Sequence, residues 1–112
     1  LALATNGSTL AISTYNESSS ATGIDGDQAD ELAPEAGAVY VFVRDPLGQW
    51  SQRAYVKAPN TDPFDGFGWD VGLSGDGLTL VVGAPREDGA ATGTGGDPTS
   101  NRGFDTGAVY FY

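Results

Sequence analysis

A chain of 112 residues is long enough for one small domain whose core needs no metal or disulfide support. Cysteine, histidine and methionine are absent, which excludes thiol chemistry, the commonest general base and soft-metal ligation. Fifteen acids against five bases leave a net charge of -10, which repels nucleic acid and anionic headgroups and attracts cations. The longest apolar run, in "VYVFV", is far short of the ~20 residues that cross a bilayer, and no signal pattern opens the chain. Because it begins at Leu1 without an initiator Met, the chain reads as a segment of something longer.

The first residues, "LAL", are apolar and lead through "TNGS" into "TLAIS", a pattern that predicts a hairpin with Asn6-Gly7 at its tip in a type I′ turn. Residues 16 to 36 follow as a long loop of small and acidic side chains. "GAVYVFV", at 37 to 43, is β-branched and aromatic and predicts a third strand. Val39, Val41 and Val43 lie on one side and Tyr40 and Phe42 on the other, so both faces of that sheet need cover. In "GQWSQRAYVKA" residues alternate as in a strand with unequal faces, which is the fourth and outermost. "PNTDPFDGFG", at 59 to 68, has the Pro, Gly, Asn and Asp of a connection. A second apolar pair then flanks Asp76-Gly77, a second long loop follows, and "GAVYFY" closes the chain.

Residues 1 to 42 align without a gap on residues 71 to 112, at an offset of seventy. Leu3/Leu73, Gly7/Gly77, Glu17/Glu87, Ala21-Thr22-Gly23/Ala91-Thr92-Gly93, Gly26-Asp27/Gly96-Asp97 and "GAVY" are identical in the two copies. The unit is four antiparallel strands, no segment carries a helical period, and the fold class is all-β. Stacked four-stranded sheets of this kind are the blades of a β-propeller, and the chain reads as a fragment of about two of them. Residues 1–58 form a first blade lacking the beginning of its inner strand, 59–66 an inter-blade connection, and 67–112 a second blade lacking its outer strand. A small β-sandwich is the alternative that the strand count permits.

At "DGFGWDVGLSGDGLTLVVGAP", residues 65 to 85, the chain resembles the FG-GAP repeat, the blade unit of the integrin α-subunit propeller and of many bacterial surface proteins. Phe67-Gly68 matches the FG element, Gly83-Ala84-Pro85 the GAP element, and "GAVYVF" or "GAVYFY" the third strand. The resemblance implies a non-catalytic scaffold for adhesion or ligand binding at the cell surface or outside the cell. It does not bring the family's calcium loop, because the two-residue turns Asn6-Gly7 and Asp76-Gly77 stand where that loop would be.

Within the first long loop, Asp25, Asp27, Asp30 and Glu31 crowd four carboxylates around a glycine, and these are the candidate ligands for Ca²⁺. Glu17 and Glu87 are predicted to fix their own loops by accepting backbone N–H bonds. Alternation puts Phe67 and Trp69 on one face and predicts that both pack, whereas Tyr15 and Phe104 sit at loop positions and are the candidate ligand surface. Catalysis has no constellation: there is no nucleophile elbow and no phosphate loop, and Asp27 and Asp30 lie on one loop rather than across a cleft. The expected partners are a protein or carbohydrate ligand, and further blades of a parent chain or other copies of this one. In the second case open blade edges pair between chains and close a ring or extend a filament.

Overall fold

The computed structural model describes residues 1–91 and 93–112, so Thr92 of the repeated Ala-Thr-Gly lies outside the described residues. Among these residues there is no helix, and seven strands form two antiparallel sheets. The first sheet takes β1 (Ala2–Leu3), β2 (Thr9–Thr14), β3 (Ala38–Arg44) and β4 (Trp50–Val56) in sequential order, and the second takes β5 (Asp70–Leu73), β6 (Leu80–Ala84) and β7 (Ala108–Phe111). Equivalent strands hold equivalent registers: Ile12 faces Tyr40 across β2 and β3, and Val82 faces Tyr110 across β6 and β7. A bulge in β4 leaves Arg53 without a partner between Ala54, opposite Val41, and Gln52, opposite Phe42. The simple alternation read for this strand therefore breaks at Arg53.

Both hairpin tips fall where the sequence puts them, but the turn differs from the type I′ expected. Only Gly7 (φ 69°) and Gly77 (φ 73°) are left-handed, and their N–H groups donate to Ala4 O and Ser74 O at 2.8 and 2.9 Å. Asn6 and Asp76 do not take positive φ, and their side chains brace the loop: Asn6 Oδ1 accepts from Ser8 N–H and Asp76 Oδ1 from Leu78 N–H. The two tips also touch, with Asn6 N–H donating to Gly75 O and Asn6 Nδ2 to Asp76 O.

Apolar side chains of one face of each sheet meet between the layers. Ala11, Val39 and Val56 from the first sheet pack with Leu80, Val82 and Ala84 from the second. Phe67, on the connection, completes that core, its ring 5.6 Å from Tyr110 and 6.2 Å from Tyr112. The backbone explains why glycine must follow it. Gly68 is left-handed at φ 88°, and a Cβ there would meet Ala38 O at 2.9 Å and Ser13 Cβ at 3.1 Å. Gly68 N–H and Trp69 N–H both donate to Gly83 O, at 3.0 and 3.2 Å, so Phe67-Gly68 is clipped directly to Gly83-Ala84-Pro85. On the other side Phe67 N–H donates to Ala36 O at 2.9 Å, which ties the connection to the end of the first long loop.

The long loops repeat as well. Left-handed residues recur at Gly23/Gly93, Asp25/Gly95, Glu35/Asp105 and Gly37/Gly107, each pair seventy apart. Gly37 N–H donates to Glu17 O and Gly107 N–H to Glu87 O, both at 2.9 Å.

Candidate functional site

The acidic loop does not assemble a cation cage. Asp25 Oδ1 accepts from Tyr55 N–H at 3.0 Å, Asp27 Oδ1 from Ala29 N–H at 2.9 Å, and Asp30 uses Oδ1 on Leu32 N–H and Oδ2 on Ser20 N–H and Oγ. Glu31 is exposed. Among the described residues no three acidic groups are gathered to hold a metal ion. The physical reason is local: a short acidic side chain in a turn finds backbone N–H groups two residues ahead sooner than it finds another carboxylate. Hydrogen bonds from Ser20 hold the Asp30 carboxyl below the usual carboxylate range.

Glu17 does fix its own loop, accepting from Ser19 N–H at 3.0 Å, but its other oxygen carries more. Glu17 Oε2 lies 2.7 Å from Nζ of Lys57, which is 0% exposed. Lys57 stands one residue past β4, so the pair pins the first long loop to the outer edge of its own sheet. Beside it the Tyr55 hydroxyl is buried with no hydrogen-bond partner among the described residues, and burial raises its pKa.

Glu87 behaves differently from its twin. Among the described residues no backbone N–H reaches its carboxylate; Asn60 Nδ2 donates to one oxygen at 2.7 Å and Tyr110 Oη to the other at 3.0 Å. Burial raises the pKa of Glu87, and the same desolvation pushes buried Asp65 up to about 7, with Glu87, Asp62 and Asp88 adding repulsion. Asn101 bonds both Asn60 and Asp62, so the connection and the second long loop share one polar knot.

The surface side chains converge at the seam between the sheets. Tyr15, 49% exposed, lies 4.8 Å from Trp69, 54% exposed, at a 47° tilt. The Arg86 guanidinium stands over the Trp69 ring at 5.9 Å and within 3.9 Å of Glu35. Four segments thus meet there: the end of β2, the first long loop, the connection and the residue after Pro85. Trp69 corrects the expectation that it packs with Phe67. Gly68 turns left-handed between them, so the two-residue alternation does not run through, and Phe67 is buried while Trp69 faces solvent. Tyr15 thus belongs to a half-exposed aromatic cluster. Phe104 is 85% exposed on the second long loop and takes no part in that cluster. Phe64 is also exposed, and it is left-handed at φ 73°, an unfavourable conformation for an aromatic residue. Trp69 and Arg86 carry no signal of surface placement in the sequence; only the turn at Gly68 reveals Trp69.

A family model described as FG-GAP repeat matches residues 50–112, more than half of the chain. No curated protein and no solved structure matches it.

Proposed function

The chain belongs to the FG-GAP repeat family, and on that premise we propose that it is a non-catalytic segment of an extracellular or cell-surface β-propeller, serving as a scaffold for adhesion or ligand binding. The observation that carries this reading is the seam cluster. Tyr, Trp and Arg are the side chains that dominate binding at protein interfaces, and here the three stand together, half-exposed, on four segments that the packed blades hold rigid. A protein ligand suits this composition better than a polyanion, given the net charge of -10. Calcium through Asp25, Asp27, Asp30 and Glu31 is not part of this reading, since Asp27 and Asp30 accept from N–H groups of the loop's own turns and Asp25 from Tyr55 N–H on β4.

The test is surface plasmon resonance of the chain over immobilised fibronectin and collagen, with albumin as the blank. Saturable binding to either that falls at least tenfold in Tyr15→Ala and Trp69→Ala, with circular dichroism unchanged, supports the reading. Binding no stronger than to albumin, or binding that ignores both substitutions, sinks it.

A further inference from the structure

Two of the four asparagines open a triplet of the form Asn-x-Ser: Asn6-Gly7-Ser8 and Asn16-Glu17-Ser18. Asn60 and Asn101 do not, with Asp62 and Gly103 in the third place. Such a triplet is the acceptor of N-linked glycosylation: the asparagine amide nitrogen takes the sugar, and the enzyme reads the hydroxyl two residues on. A triplet alone is common by chance, so the side chains must separate the two.

Asn6 is exposed, but its amide is engaged at the hairpin tips. Nδ2 donates to Asp76 O at 3.0 Å, while Oδ1 accepts from Ser8 N–H at 2.9 Å and from Ser8 Oγ at 2.6 Å. A sugar on that nitrogen would stand in the contact between the two tips, and the serine hydroxyl of the triplet is folded back on its own asparagine. Asn16 is placed differently, exposed in the turn that follows β2. Its Oδ1 accepts from Thr14 Oγ1 at 2.6 Å, which fixes the plane of the amide, and among the described residues nothing accepts from Nδ2. Ser18 is half-buried, and among the described residues no hydrogen bond holds its hydroxyl, which reaches solvent. The outward placement belongs to the position rather than to this copy alone. Seventy residues on, Arg86 is half-exposed even with the Trp69 ring 5.9 Å away and Glu35 beside it.

We propose that Asn16 carries an N-linked glycan. In the transfer Nδ2 bonds to the anomeric carbon of the first sugar, the bond from that carbon to the oxygen of a lipid-phosphate donor breaks, and the released lipid phosphate takes up the proton that Nδ2 loses. The glycan leaves the surface one residue from the half-exposed Tyr15, so it borders the seam cluster and screens it on the β2 side. This inference rests on the cell-surface reading, because the transferring enzyme meets its acceptors in chains under export, but it is independent of what the seam cluster binds.

The test expresses the chain behind a cleavable secretion signal in a eukaryotic cell line. Cells and medium are both read by intact mass and peptide mapping, so that retained chains are counted with secreted ones. One glycan per chain is expected, removed by peptide-N-glycosidase, which converts the asparagine that carried it to aspartate and so marks position 16. Asn16→Gln and Ser18→Ala should abolish the glycan, whereas Ser18→Thr and Asn6→Gln should keep it. Loss in Ser18→Ala together with retention in Ser18→Thr decides the site even where Asn16→Gln fails to fold. The glycosylated protein should also keep the urea midpoint of the same protein after enzymatic removal of the sugar, or exceed it. A chain without a glycan overturns the inference, as does a glycan that maps to Asn6 or survives Asn16→Gln, or one that lowers the midpoint and so faces the packing. An absent glycan beside saturable binding to fibronectin or collagen overturns this inference alone, and a glycan at Asn16 without such binding upholds it while the adhesion reading falls.

Discussion

Replacing Lys57 by methionine isolates the buried ion pair while keeping most of the side-chain stem. At 2.7 Å and an effective dielectric near 20, the attraction between Lys57 and Glu17 is roughly 6 kcal/mol, and the desolvation of two nearly enclosed charges offsets much of it. The net worth of the intact pair is therefore small. The cost of breaking it is not, because Glu17 is left with a charge and no counter-ion in a site where its side chain is 11% exposed. Losing one partner of such a pair typically costs about 3–5 kcal/mol. The low end applies here, since Glu17 keeps the Ser19 N–H bond and a little water. Lys57→Met should thus lower stability by about 3 kcal/mol in urea unfolding followed by tryptophan fluorescence, or Tm by roughly 12 °C or more for a chain of this size. Adding Glu17→Gln should restore at least half of the loss, because the amide carbonyl still accepts from Ser19 and no charge remains to bury. A single variant within about 1 kcal/mol of wild type, or a double variant no more stable than the single, would refute the assignment of this pair as the pin between loop and sheet.

Gly37→Ala should destabilise by at least about 2 kcal/mol, since a Cβ at φ 88° would overlap the Phe67 carbonyl and force the connection off the first sheet; an unchanged urea midpoint would count against the close approach described. Stability should fall as pH rises from about 4 to about 7. Asp65, pushed up to about 7, and Glu87, raised in the same direction, hold in the folded state protons that the unfolded chain releases near its ordinary carboxylate values. The full contribution is present below the unfolded pKa and is gone above the folded one, on the order of 4 kcal/mol for Asp65 alone. Asp65→Asn should flatten the Tm profile between about pH 4.5 and 8, and a wild-type profile that rises through this window contradicts the burial argument. Millimolar calcium should leave Tm unchanged, because the acidic loop's oxygens already accept backbone N–H bonds; a saturable rise would place a site that the geometry lacks.

Much of the architecture was legible before any coordinates. The seventy-residue offset implies two like-shaped units, and the left-handed positions at Gly23/Gly93 and Gly37/Gly107 recur at that offset. Strand positions, hairpin tips and the outer strand at Trp50–Val56 follow from β-branched periodicity and turn residues, signals carried by neighbours in the chain. The resemblance resting on Phe67-Gly68 and Gly83-Ala84-Pro85 was likewise readable, and the hydrogen bonds to Gly83 O give it a physical cause.

Other features depend on groups far apart in sequence. The composition of the first loop suggested a cation cage, yet whether carboxylates converge depends on where each finds a donor: Asp27 and Asp30 find one two residues on, and Asp25 finds Tyr55 N–H, thirty residues away on β4. Trp69 faces water because one left-handed glycine reverses the chain between it and Phe67, and periodicity does not see a dihedral angle. Lys57 and Glu17 lie forty residues apart with nothing in their spacing to join them, and Glu87 stands at the repeat position equivalent to Glu17 but has a different set of partners. Sequence by itself determined the local conformations, because these rest on φ preferences and side-chain alternation within a few residues. Which charges are paired and which aromatic rings are wet was decided only when the sheets packed, because burial belongs to the three-dimensional neighbourhood of a group and not to its place in the chain.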